Sequence, residues 1–151
     1  LSGGEMQRVA LAVALVTRLP LREQGRSAGP AQGGLDKARA HIDAHLGDSL
    51  SLEDLAAVAG MSLFHFCRVF RDATGVTPHQ YIVGRRMELA CRLLWSARLA
   101  PGGGPGMLDI ALACGFSSQS HFAAQFRRHT GQTPRQWQRN LGQDSDTPQA
   151  P

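Results

Sequence analysis

A stretch of about twenty residues occurs twice in this 151-residue chain, and that repeat restricts the possible folds more than any other feature. The first copy reads Gly60-Met-Ser-Leu-Phe-His-Phe-Cys-Arg-Val-Phe-Arg-Asp-Ala-Thr-Gly-Val-Thr-Pro-His-Gln-Tyr81. The second reads Gly115-Phe-Ser-Ser-Gln-Ser-His-Phe-Ala-Ala-Gln-Phe-Arg-Arg-His-Thr-Gly-Gln-Thr-Pro-Arg-Gln-Trp137. Gly60, Ser62, His65, Phe66, Phe70, Arg71, Thr74, Gly75, Thr77, Pro78 and Gln80 recur as Gly115, Ser117, His121, Phe122, Phe126, Arg127, Thr130, Gly131, Thr133, Pro134 and Gln136. The offset is 55 at the start and 56 after one extra residue in the second copy.

Each copy carries helix stops and starts at close spacing. Ser51 can cap a helix over Leu52–Ala59, with Asp54 as a weaker stand-in for the Glu of a capping box. Leu52, Leu55, Ala56 and Ala59 give that helix a narrow apolar stripe. Gly60 suits the left-handed position that closes a helix. Ser62 can cap the next one, whose apolar face is Phe66, Val69, Phe70 and Ala73. Its other face carries Phe64, His65, Cys67, Arg68 and Arg71. Gly75 ends this helix, and Thr77-Pro-His-Gln80 starts another with Thr at the N-cap, Pro at the first helical position and Gln two residues later. Thr133-Pro-Arg-Gln136 repeats that start. A short helix, a Gly turn and a second amphipathic helix is the helix-turn-helix arrangement, in which the second helix enters the major groove.

At these residues the chain resembles the DNA-binding domain of the AraC/XylS transcription regulators. Asp109-Ile-Ala-Leu-Ala-Cys-Gly-Phe-Ser-Ser-Gln-Ser-His-Phe122 through Gly131-Gln-Thr-Pro134 is similar to that family's signature nearly residue for residue, and the resemblance covers roughly residues 35 to 141. It implies an all-α fold: two helix-turn-helix subdomains joined by a long linker helix. The expected parts are a first helix-turn-helix at about 51–74, a connecting helix at 78–98 and a second helix-turn-helix at about 107–130.

Charge points the same way. Residues 63–140 hold ten Arg against Asp72, Glu88 and Asp109, a net of +7, while residues 1–62 are nearly balanced. A basic half suits a polyanionic partner, since neutralised phosphates supply most non-specific DNA affinity. No run of 18 apolar residues reads as a membrane span. Cys67, Cys91 and Cys114 are odd in number and lack metal-ligand spacing, which reads as reduced cytosolic thiols. No nucleophile–base pair, metal set or phosphate loop supports an enzyme.

The remaining segments frame the repeat. Leu1-Ser-Gly-Gly-Glu-Met-Gln-Arg8 resembles the signature loop of ABC-transporter ATPases. Such an ATPase needs a G-x-x-x-x-G-K-[ST] loop, which the chain lacks. The match reads as chance or as the tail of an upstream domain, and the missing initiator Met reads as a fragment. Met6–Leu19 reads as one apolar helix. Pro20–Gly34, rich in Gly and Pro, reads as a linker. Residues 1–34 thus form an N-terminal appendage to a domain over 35–141. Leu35, Ala38, Ile42 and Leu46 mark that domain's first helix. The connecting helix from Pro78 to about Arg98 takes Tyr81, Ile82, Leu89, Leu93 and Leu94 as apolar positions. Its length, about 30 Å at 1.5 Å per residue, suits two heads one DNA turn apart, roughly 34 Å. Arg85, Arg86 and Arg92 on it are expected to face solvent or to pair within the domain. Ala100-Pro-Gly-Gly-Gly-Pro-Gly106 makes this connection about six residues longer than the family's and reads as a flexible loop. Met107–Cys114 reads as a short helix with Ile110 and Leu112 as its apolar residues. Pro134–Asn140 is the last helix, with Trp137 inward. The polar residues 142–151 read as a disordered tail.

The resemblance assigns base reading in the first head to Phe64, Cys67 and Arg68. Arg68 can grip guanine O6 and N7 bidentately or contact a phosphate. Phe64 can touch a thymine methyl or pack on the turn, and Cys67 can leave room. The matching positions in the second head are Gln119, Ser120, His121 and Ala124. Gln119 can pair with adenine N6 and N7. Ala124 stands where many relatives carry a longer polar residue, so the second head is expected to read fewer bases. His65 and His121 suit a cap or phosphate role. Ser62, Ser117 and Ser118 can offer hydroxyl and helix N-terminal donors to phosphate, with Ser117 or Ser118 as the cap. Arg71, Arg127 and Arg128 are phosphate candidates.

The function expected is a sequence-specific regulator that binds double-stranded DNA with two recognition helices in successive major grooves. The resemblance also implies RNA polymerase as a partner, and an effector ligand acting through a domain outside this chain. No cofactor, metal or membrane partner is expected, and the expected location is the cytoplasm. A helical protein-interaction module without DNA binding is the alternative. Such a module has no need of two Arg-bearing second helices after matched Gly turns.

Overall fold

The repeated caps and turns each form where the sequence places them. The computed structural model describes residues 29–141; the readings of Met6–Leu19 and of 142–151 fall outside the described residues. Seven α-helices and no strand occur among the described residues: α1 Pro30–Ala44, α2 Leu52–Ala59, α3 Leu63–Thr74, α4 Pro78–Leu99, α5 Met107–Ala113, α6 Gln119–Thr130 and α7 Pro134–Asn140. They fall into two compact units, one running to Arg86 and one from Met87 on, so α4 contributes to both.

In the first unit, α1 begins at Pro30, inside the stretch whose Gly and Pro content reads as linker. Pro30 takes the first helical turn, where its missing N–H costs nothing. Gly33 and Gly34 lie within the helix, and Gly34 is buried. A Cβ on Gly34 would stand 2.5 Å from the Ala59 carbonyl oxygen. This glycine lets α1 approach the end of α2; it does not loosen the chain. Leu35, Ala38, Ile42 and Leu46 are buried as the stripe predicts.

The Ser51 hydroxyl accepts the Asp54 N–H at 3.0 Å and caps α2. Gly60 closes α2 at φ +71°, a left-handed conformation that other residues rarely adopt. The Met61 N–H then reaches back to the Ala56 carbonyl at 2.9 Å, as in a Schellman motif. Phe116 and Ala111 make the same bond at 3.0 Å in the second unit. Phe66 and Phe70 on α3 are wholly buried, with centroids 5.6 Å apart. Tyr81 meets Phe70 edge-on at 5.2 Å, and Arg39 covers the Tyr81 ring. Val69 is only half-buried and Ala73 is exposed, so the apolar face of α3 is narrower than its spacing predicts.

In the second unit, α4 buries Met87, Ala90, Cys91, Leu94 and Ala97. Of the apolar positions expected there, Leu94 is buried and Leu89 and Leu93 are half-buried. The close-packed stripe is made largely of small residues. Phe122 and Phe126 repeat the buried pair of the first unit at 5.8 Å, and Trp137 meets Phe126 edge-on at 5.9 Å. Ile110 is buried on α5, but Leu112 is exposed and Ala111 takes the inward position. The Gln138 amide donates to the Leu94 carbonyl at 2.9 Å, fastening α7 to α4. The Gly-rich loop folds back on α4: a Cβ on Gly104 would come 2.8 Å from Ala97 Cα. Gly104 thus lies against α4, while Gly102 and Gly103 have open space around their missing Cβ atoms.

The junction after each second helix is also duplicated. The Thr74 hydroxyl donates to the Phe70 carbonyl at 2.8 Å and accepts the Val76 N–H at 3.3 Å. Thr130 does the same with Phe126 and Gln132. Thr77 and Gln80 then exchange both bonds of a capping box, as do Thr133 and Gln136.

Candidate nucleic-acid interface

On α3 the inward pair Phe66 and Phe70 fixes which side chains point out. The Ser62 hydroxyl accepts the His65 N–H at 3.3 Å, so the helix starts at Leu63. With the buried residues four apart, Phe64, Arg68 and Arg71 share the opposite face at helical spacing. All three are exposed, and Cys67 beside them is half-buried. Phe64 is 79% exposed, which removes the possibility that it packs on the turn. A groove of about 470 Å³ runs along this face, lined by Leu52, Phe64, Cys67, Arg68, Arg71 and Asp72 among others.

The matching face of α6 is less bulky. The Ser118 hydroxyl accepts the His121 N–H at 3.1 Å and is the cap. Ser117 is the extra residue of the second copy, exposed in the turn and without a cap bond. Gln119, Ser120, Ala124, Arg127 and Arg128 are all exposed. His121 lies at the surface, but its ring meets Phe116 edge-on at 5.4 Å, so part of its role is packing. His65 has Met61 where His121 has Phe116 and makes no such ring contact. His129, near the end of α6, is held below the usual histidine range by burial and then by Arg128.

Four arginines of the scaffold are bonded within their own unit. Arg39 donates to the Tyr81 hydroxyl at 3.3 Å, Arg85 pairs with Asp43 at 2.8 Å, and Arg98 donates to the Gln138 carbonyl at 3.1 Å. Arg86 donates to the carbonyls of Leu46 and Asp48. Arg85 and Arg86 thus brace α4 within the first unit, as the intradomain expectation has it. Arg68, Arg71, Arg127 and Arg128 have no such bond or ion pair among the described residues, and neither have Arg92, Arg135 and Arg139, which are exposed on α4 and α7. Guanidiniums left open on two helices of matching position are available to phosphates and base edges.

What repeats and what varies now separate physically. The repeated Gly, Phe, Thr, Pro and Gln residues form the turns, cores and caps. Leu63, Phe64, Cys67 and Arg68 give way to Gln119, Ser120, Ala123 and Ala124, and these lie towards the outside of the helices. Sequence reasoning passes over Leu63, Ala123 and His79; reading the offset of 56 straight through the helix would find the first two. His79 lines the groove from the start of α4, a contact only the fold reveals.

The sequence profile of the Helix-turn-helix domain family, of AraC/XylS type, matches residues 55–140. The chain belongs to the AraC/XylS family. It is 37% identical over 98 residues, 65% of its length, to "Probable transcriptional regulator LumQ" of Photobacterium leiognathi. An AraC-type transcriptional regulator from Chromobacterium violaceum has the same fold at a TM-score of 0.63 and 30% identity, covering 78% of this chain and 96% of that one. The DNA-binding domain of AdpA, solved in complex with a target DNA, also matches at 0.63, with 31% identity over 78% of this chain and 98% of that one. The chain spans under two fifths of the length of curated relatives such as LumQ, at 37%. AraC-type membership makes it a DNA-binding transcription-regulator domain and not an enzyme. No cluster of three or more His, Cys, Asp or Glu among the described residues could hold a metal ion. None of the described helices is long and apolar enough to cross a membrane.

Proposed function

We propose that this chain is the DNA-contacting part of a sequence-specific transcription regulator that sets α3 and α6 into successive major grooves of one duplex. The observation that carries the reading is the division of the arginines. All four arginines of the two second helices face solvent without an internal partner, whereas on the scaffold Arg39, Arg85, Arg86 and Arg98 are bonded within their own unit and Arg92, Arg135 and Arg139 are exposed. Phe64, Cys67 and Arg68 read bases in the first segment, and Gln119 with Ser120 reads fewer in the second. Ser62, Ser118, Arg71, Arg127 and Arg128 hold the backbone, and Ala124 leaves its site unread. His65 and Ser117 lie beside phosphates, and His121 steadies the start of α6. The DNA-binding domain takes in residues 30–141, with α1 from Pro30 as its first helix. RNA polymerase is the proposed protein partner in the cytoplasm. An effector would act through a further domain of the whole protein, whose relatives extend well beyond the matched region.

Selection of bound sequences from a random duplex pool tests this. The expected outcome is an asymmetric site with two enriched segments about ten base pairs apart, richer in information in the first. Enrichment of no sequence over the starting pool would overturn it.

A further inference from the structure

The helix that precedes the first head, α1, reaches that head on both sides of α3. On one side, Gly34 lies against the turn that leads into α3. Its missing Cβ would stand 2.5 Å from the Ala59 carbonyl oxygen and 3.2 Å from Met61 Cε. On the other side, the Arg39 Nε–H donates to the Tyr81 hydroxyl at 3.3 Å, and the guanidinium lies over the ring, 5.7 Å from its centroid. The same ring stands edge-on to Phe70 at 5.2 Å. Phe70 is wholly buried in α3, and a close-packed interior passes on a shift of its neighbour. Tyr81 is thus held from two directions, by Phe70 on α3 and by Arg39 on α1.

The second head is fastened differently. Trp137 meets Phe126 there, and an indole N–H can donate but has no acceptor for a guanidinium. The bonds to the preceding helix run through Gln138 instead. Its amide donates to the Leu94 carbonyl, and its own carbonyl accepts from Arg98. Among the described residues, then, an arginine holds the ring that packs on the reading helix in the first head only. We propose that Arg39 is a positioning residue for the first reading helix. It fixes the Tyr81 ring and, through Phe70, the alignment of α3, so base preference in the first segment depends on α1. The preceding part of the chain joins the domain through α1, which gives it a route to α3 that α6 does not share. The inference rests on the proposed reading role of α3 and adds what sets its alignment.

The selected duplex is compared with two versions, one with the first segment scrambled and one with the second. Each affinity ratio reads the preference of one head. Tyr81→Phe removes the hydroxyl and keeps the ring on Phe70, while Arg39→Ala removes the donor and the cation. Both should lower the first ratio about fivefold, the value of one hydrogen bond, and leave the second unchanged. Arg39→Lys keeps a cation and a donor and should recover part of the first ratio. Both ratios are taken on the same folded sample, so a loss of stability alone leaves them unchanged. Tyr81 is the only tyrosine in the chain, so 3-fluorotyrosine gives a single fluorine resonance. That resonance should move when the native protein binds the selected duplex, since coupling is reciprocal. A first ratio unchanged in both Tyr81→Phe and Arg39→Ala overturns the inference and leaves DNA binding intact. So do equal falls in the two ratios, or a fluorine resonance that stays still. Native protein that prefers neither segment overturns the broader reading along with it.

Discussion

The Cβ that Gly34 lacks would sit 2.5 Å from the carbonyl oxygen of Ala59. Backbone cannot yield there as the tip of a side chain can, so Gly34→Ala must push α1 away from α2. The expected cost is about 1–3 kcal/mol, typical of overpacking. Gly33, one residue earlier in the same helix, has open space around its missing Cβ. Gly33→Ala should stabilise the protein by roughly 0.5–1 kcal/mol through helix propensity. Denaturant melts of the two variants check the pair, and equal effects would contradict the close approach.

Phe70 and Phe126 occupy the same place in two cores, each wholly buried and each edge-on to an aromatic ring of the following helix. Phe70→Ala and Phe126→Ala should each cost about 3–5 kcal/mol. The loss should fall on the unit that carries the change. Amide exchange mapped along the chain would show it, and protection lost equally in both units would contradict two separate cores.

Cys67 is the half-buried thiol, while Cys91 and Cys114 are buried. Native protein should therefore react with a thiol reagent at one site, and unfolded protein at three. Duplex DNA should protect that one site. Cys91 is held back further, its pKa pushed from 9.0 to about 12 by burial, then by Cys114 and Glu88. A thiol raised in the fold contributes stability below its unfolded pKa. That contribution is lost as the pH rises from 9.0 towards about 12. Urea melts across this range should show a falling midpoint, with a shallower fall in Cys91→Ala.

The Arg85–Asp43 bridge joins partly exposed side chains. Arg85→Ala should change stability by no more than about 1 kcal/mol. It should leave DNA affinity within about twofold once folding is accounted for, whereas Arg71→Ala should weaken binding to every duplex. Binding isotherms for the two variants check the division of the arginines. A larger loss from Arg85→Ala than from Arg71→Ala would reverse it.

The residues legible in sequence are those whose work is local. Ser62, Gly60, Thr77 and Gln80 act within a few residues of themselves, and their repetition doubles the signal. Phe66 and Phe70 announce their burial by spacing. Gly34 was not legible, because a glycine needed for close approach looks like one needed for flexibility until the partner carbonyl is known. Ala90, Cys91 and Ala97 were missed because small residues form a buried stripe without appearing strongly apolar. Arg68 and Arg86 are the same residue type on neighbouring helices. Only the tertiary contacts of Arg86 with the carbonyls of Leu46 and Asp48 tell the two apart. The choice of Ser118 over Ser117 turned on where a single inserted residue was placed.

Affinity for the selected duplex, measured against salt for the native chain and for Arg68→Ala and Arg127→Ala, bears most directly on the two-helix reading. Native affinity should fall by about a hundredfold between about 50 and about 200 mM salt, as for about four phosphate contacts. Arg127→Ala should weaken all duplexes alike and lower the salt slope by about one unit. Arg68→Ala should instead lose preference at one position of the first segment, about 1–3 kcal/mol there. A salt-independent affinity, or a uniform loss across sequences for Arg68→Ala, would contradict the assignment of α3 and α6 as reading helices.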